Sequence, residues 1–92
     1  MTPTWVRVDE VLWRESLGRT VLLPPGHDEP VVLVGSGMVL WQLLAHPMPV
    51  ERLGEALAEA YEVTPVQAAA DVLPVLRHLE RLGAARCVEA PA

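Results

Sequence analysis

The stretch Val31-Val32-Leu33-Val34-Gly35-Ser36-Gly37-Met38-Val39-Leu40-Trp41, VVLVGSGMVLW, changes its hydrophobic period halfway along. The first four residues are apolar on both faces and mostly β-branched, which predicts a strand over Val31–Val34. After Gly35 the apolar residues Val39, Leu40, Leu43 and Leu44 recur at helical spacing, which predicts a helix from Ser36, as its cap, to about Ala45. A Gly-Ser-Gly turn between strand and helix invites comparison with nucleotide-binding turns, and the comparison fails. A G-x-G-x-x-G fingerprint needs glycine at position 40, which is Leu40, and no Lys-Ser or Lys-Thr pair follows.

Working outward, Val11–Glu15 reads as a first strand, Ser16–Arg19 as a turn and Thr20–Leu23 as a second strand. Pro24–Pro30 is dense in turn formers and leads to the third strand. Beyond the first helix, His46-Pro47-Met48-Pro49 is a break. A second helix is expected over Val50–Tyr61, on the spacing of Val50, Leu53, Leu57 and Tyr61. Thr64-Pro65 marks the start of a third, which stops at Gly83. The expectation is an α+β domain: a three-stranded antiparallel sheet followed by three helices, in an order compatible with a winged helix-turn-helix. Residues 1–10 and 86–92 are expected to be loose ends around a domain spanning 11–85.

The bulk properties narrow the function classes. Ninety-two residues with 51% hydrophobic content suffice for one domain and one modest core. No apolar run approaches the roughly 18 residues that span a membrane, and no signal peptide is visible. Cys87 is the single cysteine, so no internal disulfide forms, and a cytoplasmic setting is expected. Twelve acidic residues against seven arginines give a net charge of −5, unfavourable for a nucleic-acid backbone. A winged-helix DNA-binding regulator is the alternative that the element order permits. The third helix sets Arg77 and Arg81 against Asp71 and Glu80, a poor recognition surface.

The side chains that chemistry would need are scattered. Asp71 and His78 share a helical face, but Cys87 sits near an expected loose end and no oxyanion feature accompanies it. His27, His46 and His78 lack metal-ligand spacing. No enzyme activity, metal or cofactor is expected.

What remains is the strand. Val31, Val32, Leu33 and Val34 offer a flat apolar edge without the charge, proline or bulge that usually guards one. Either the strand is central and covered on both sides, or its edge takes an extended peptide. The third helix carries a core stripe of Val72, Val75, Leu76, Leu79 and Leu82. Beside it lie Val66, Ala69 and Leu73, then Arg77 and Glu80. That second face is either a widening of the core stripe or the wall of a groove floored by the third strand.

The residues as a set resemble the PqqD-like domains, also called RiPP precursor peptide recognition elements. The resemblance rests on Gly37 before Trp41-Gln42-Leu43-Leu44, on Val50-Glu51-Arg52-Leu53 and Leu57, on Tyr61-Glu62-Val63-Thr64-Pro65, and on Asp71-Val72, Leu76, Leu79 and Gly83. It departs from the family at Val34-Gly35-Ser36-Gly37, where Asn-x-Thr-Gly is frequent. It also departs at Ala84-Ala85 and at Pro74, which stands inside the third helix. The resemblance implies binding of the leader segment of a ribosomally made precursor peptide, by strand addition beside Val31–Val34. It implies presentation of that precursor to a processing enzyme. Ala69, Asp71, Leu73, Arg77 and Glu80 would then read the leader's side chains. The chain is most similar to the lasso-peptide type, which implies a separate leader peptidase and macrocyclase as partners and a leader with a Tyr-x-x-Pro motif.

Overall fold

A computed structural model of the chain describes residues 3–89. The elements are β1 (Pro3–Arg7), β2 (Leu12–Ser16), β3 (Arg19–Leu23), β4 (Val31–Leu33), α1 (Ser36–Leu43), β5 (Met48–Pro49), α2 (Val50–Tyr61), α3 (Pro65–Arg81) and β6 (Ala85–Glu89). The expected α+β architecture is present. β2, β3 and β4 form an antiparallel three-stranded sheet in that order, and three helices follow.

The sheet is built from local signals. Leu17 and Gly18 join β2 to β3 with positive φ at both positions, 52° and 75°, which matches the strand twist of a two-residue hairpin. Side chains then alternate. Thr20 and Leu22 on β3 are fully buried, and their partners Leu33 and Val31 on β4 pack against the core. Val32, paired with Val21, faces outward and is 50% exposed. The strand ends at Leu33, one residue short of the expected Val34.

The helices take their boundaries from the chain's caps. Thr64 Oγ1 accepts the Gln67 N–H at 3.1 Å, and Pro65 opens α3. At the other end Gly83 has φ 76°, its N–H donates to the Glu80 carbonyl, and the Ala84 N–H donates to the Leu79 carbonyl, the pattern of a Schellman stop. Pro74 stands on the exposed side of α3, which runs on through it. The cap of α1 differs from expectation. Gly35, with φ 58° and ψ −128°, occupies the cap position and Ser36 is already helical, with no side-chain cap bond. The turn needs a backbone that only glycine adopts easily, so the hydroxyl is not what ends the strand. Gly54 sets the spacing of α2 and α3. A Cβ there would lie 3.0 Å from both the Ala69 Cβ and the Pro65 carbonyl oxygen.

The chain ends correct the expectation of loose ends. Residues 3–7 and 85–89 are the paired strands β1 and β6, and with β5 they form a second three-stranded sheet in the order β5-β1-β6. β1 and β6 align from Pro3↔Glu89 to Arg7↔Ala85. The cause is burial. Trp5 is only 6% exposed, and the small residues Ala84 and Ala85 let β6 start directly against the core. The loose ends expected for Met1, Thr2 and Ala90–Ala92 lie outside the described residues.

Arg7 connects the two sheets. Its guanidinium carbon sits 4.8 Å from the Trp13 ring centre and 5.3 Å from that of Trp41, while the two indoles meet edge to face at 6.1 Å. Its Nη1 also donates to the Trp41 carbonyl at 3.4 Å. Trp41 is fully buried in the main core with Leu40, Leu44, Leu53, Leu76 and Leu79.

Candidate functional site

β4 lies at the end of its sheet. It pairs with β3 on one side, and no strand of the described residues pairs with the other. The open edge leads into the Gly35 turn and then to the start of α1. There a cleft of about 290 Å³ opens between Ser36, Gly37 and Leu40 of α1, Leu57 and Tyr61 of α2, Val63, and Ala68, Asp71, Val72 and Val75 of α3. One end of this cleft is the start of α1, where a Cβ on Gly37 would lie 3.6 Å from the Leu33 Cβ of β4, and the far wall is one flank of α3. The lining is apolar except for Ser36, the Tyr61 hydroxyl and Asp71. The Gln67 side chain donates to both Asp71 carboxylate oxygens at 3.3 Å, which holds the acid at the rim. Tyr61 and Val63 are 44% and 41% exposed on either side of Glu62, whose left-handed φ of 55° ends α2. The volume stands at the foot of the roughly 300–1,000 Å³ typical of small-molecule pockets. It suits one or two side chains better than a dinucleotide.

The structure brings together only part of the site read from the sequence. Val31, Val32 and Leu33 lie along the open edge, Val34 follows just beyond it, and Asp71 lines the adjoining cleft. Leu73 and Arg77 do not. Two positions along a helix are about 200° apart, so they project from the opposite flank. They line a separate hollow of about 370 Å³ with Pro3, Trp5, Val50, Glu51 and Cys87. Ala69 faces Gly54 at the α2–α3 contact, and Glu80 is exposed about one turn beyond Arg77. Sequence reasoning missed Val72 and Val75 as cleft residues, having assigned both to the core, and missed Tyr61 and Val63 at the cleft mouth. The signal that could have found them is the i, i+4 pair Asp71 and Val75. Choosing between the two flanks of a helix requires the position of the neighbouring strand, which periodicity does not carry.

Among the described residues the other candidate groups lie apart. Asp71 and Cys87 line different hollows on different flanks of α3. Among the described residues no group of three His, Cys, Asp or Glu side chains could hold a metal ion, and no helix is long and apolar enough to cross a membrane.

Comparison with known proteins bears on this geometry. The family model described as coenzyme PQQ synthesis protein D (PqqD) matches residues 19–84. The fold is similar to the solution NMR structure of the PqqD truncation of Methylobacterium extorquens PqqCD, described as a functional, stand-alone RiPP recognition element. The TM-score is 0.75 at 21% identity, covering 90% of this chain and 88% of that one. No curated protein matches the chain.

Proposed function

This chain belongs to the PqqD family, and from that premise we propose that it binds the leader segment of a ribosomally synthesised precursor peptide and holds it for a processing enzyme. The observation that carries the reading is the open edge of β4 running into the apolar cleft at α3. An extended peptide has unpaired N–H and C=O groups along both sides, and so does a sheet edge on one. Joining them satisfies both and fixes the peptide's register, while pockets beside the edge select its side chains. The M. extorquens PqqD described as such a recognition element has the same fold.

Within this reading the leader lies beside Val31–Val34. Its inward side chains enter the cleft between Ser36, Gly37 and the Asp71–Val75 flank of α3. Asp71 is placed to meet a hydrogen-bond donor or cation at the rim. Leu73 and Arg77 lie outside the groove. The function is recognition without chemistry, in a cytoplasmic setting. Assignment to lasso-peptide assembly, with a separate leader peptidase, a macrocyclase and a Tyr-x-x-Pro leader, rests on the resemblance of the sequence alone. A precursor gene and a peptidase gene beside this one would support it.

The test is calorimetry with a synthetic leader from the precursor encoded beside the gene. Proline cannot donate to a strand ladder. Proline substitutions scanned along Val31–Val34 should therefore include one that abolishes binding while circular dichroism shows the helices intact. Val75→Asp, at a position 36% exposed, should weaken binding about tenfold or more by setting a charge in an apolar cleft. Leu73→Asp should leave affinity unchanged. If every folded variant of the scan binds like wild type, the edge is not the site.

A further inference from the structure

We propose that the leader is read on both of its faces, the outward one by the open face of the β2–β3–β4 sheet. This rests on the strand addition proposed above and adds a requirement to it. The cross-strand rows of the sheet are fixed by its register. Arg14, Val21 and Val32 form one row, and Leu12 and Leu23 begin the next. Both rows point away from the helices. Leu12 is 69% exposed, Val32 50% and Leu23 38%, so this face presents apolar surface to solvent where a two-layer domain ordinarily presents polar groups. Leu12, Arg14, Val21, Leu23, Asp28 and Pro30 are among the residues that line a shallow hollow there.

A strand added to β4 extends each row by one residue. The leader residue opposite Val32 then has its Cβ about 4.5–5.5 Å from that of Val32, close enough for direct packing. Arg14 lies two strands beyond Val32 along the same row, roughly 10 Å away at the usual strand spacing. The immediate surroundings of that leader residue are therefore the side chains of Val32 and Val21. An apolar, β-branched or aromatic side chain completes such a row, and a charged one would cover valine methyls. The inward neighbours on either side of it enter the α3 cleft, which is apolar too. The ligand chemistry follows: a short, nearly continuous apolar run, at least three residues long, instead of the apolar–polar alternation that one-sided reading would select. The Val32 side chain thus has a specificity role distinct from the pairing of its backbone.

A phage-displayed library of random dodecapeptides, panned on the full chain, tests this whatever the sequence of the natural leader. Wild-type protein should enrich peptides with three consecutive apolar positions. Val32→Glu, folded by circular dichroism, should shift only the central position of that run toward Lys or Arg. It should also bind the best wild-type peptide up to about fivefold more weakly, the size of one cross-strand pair. Val75→Asp should instead change the flanking, inward positions. The proposal is overturned if wild type enriches an alternating apolar–polar pattern, or if Val32→Glu returns the wild-type consensus. In either case strand addition itself survives. If wild type enriches no peptide at all, strand addition fails and this inference with it.

Discussion

The two sheets are the same size and opposite in construction. β2, β3 and β4 come from one continuous stretch, joined by a two-residue turn at Leu17-Gly18 and by the longer loop Pro24–Pro30. β1, β5 and β6 are drawn from near the start, the middle and near the end of the chain, and Pro3 pairs with Glu89. The local sheet leaves its β4 edge open, next to the cleft. The long-range sheet places the buried Trp5 on its central strand and ties residues 3–7 and 85–89 to the helices. One sheet offers an edge while the other closes the body of the domain, and Arg7 couples them through Trp13 and Trp41.

If the end-to-end sheet is structural, Trp5→Ala should have the largest effect of any change in either sheet. A buried tryptophan truncated to alanine costs about 3–5 kcal/mol, which urea unfolding would read as a large fall in midpoint. A loss below about 1 kcal/mol would make β1 and β6 an accessory to the local sheet. Next in size is the link between the sheets. Arg7→Ala removes a guanidinium shared by two indoles and its bond to the Trp41 carbonyl. It should cost about 1–2 kcal/mol, roughly 4–16 °C in Tm for a domain of this size. Tryptophan emission should shift as well, since Trp13 and Trp41 lose a common neighbour. An unchanged spectrum and Tm would uncouple the two sheets.

Two changes in the local sheet should raise stability. Thr20 is fully buried, and its hydroxyl has no hydrogen-bond partner among the described residues. Thr20→Val keeps the shape, removes the orphan group and should gain about 1 kcal/mol in urea. A loss instead would reveal a partner for the hydroxyl, such as a bound water. The smallest effect belongs to Leu17. It is 90% exposed and holds φ at 52°, a region that disfavours side chains of its kind. Leu17→Asn should gain a few tenths of a kcal/mol, up to about 1. Equal stability would show that the hairpin turn carries no strain.

Legibility in the sequence follows the same division. The hairpin at Ser16–Arg19, the Thr64-Pro65 start and the Gly83 stop are each encoded within a few residues, and each is readable there. β1 and β6 are not. Thr4-Trp5-Val6 and Arg86-Cys87-Val88 are short, and each becomes a strand only because the other is there. β5, Met48 and Pro49 directly after Pro47, carries no period at all. The site divides likewise. The Val31–Val34 edge stands out because an unguarded apolar run is unusual wherever it occurs. Periodicity leaves the face of Val66, Ala69 and Leu73 as either a wider core stripe or a groove wall, and it does not show that Asp71 and Val75 lie on the flank opposite Leu73 and Arg77. Both flanks of that helix carry apolar residues at helical spacing. Only the position of β4 and α1 distinguishes them.

The pairing of Pro3 with Glu89 sets the first and last described residues side by side, about the width of one strand pair apart. Ends held this close are the geometry that domain insertion calls for. Such a domain can be spliced into a surface loop of a larger protein with two short joints, without straining the host loop. Its β4 edge belongs to the other sheet, so both joints fall on strands that take no part in the proposed groove.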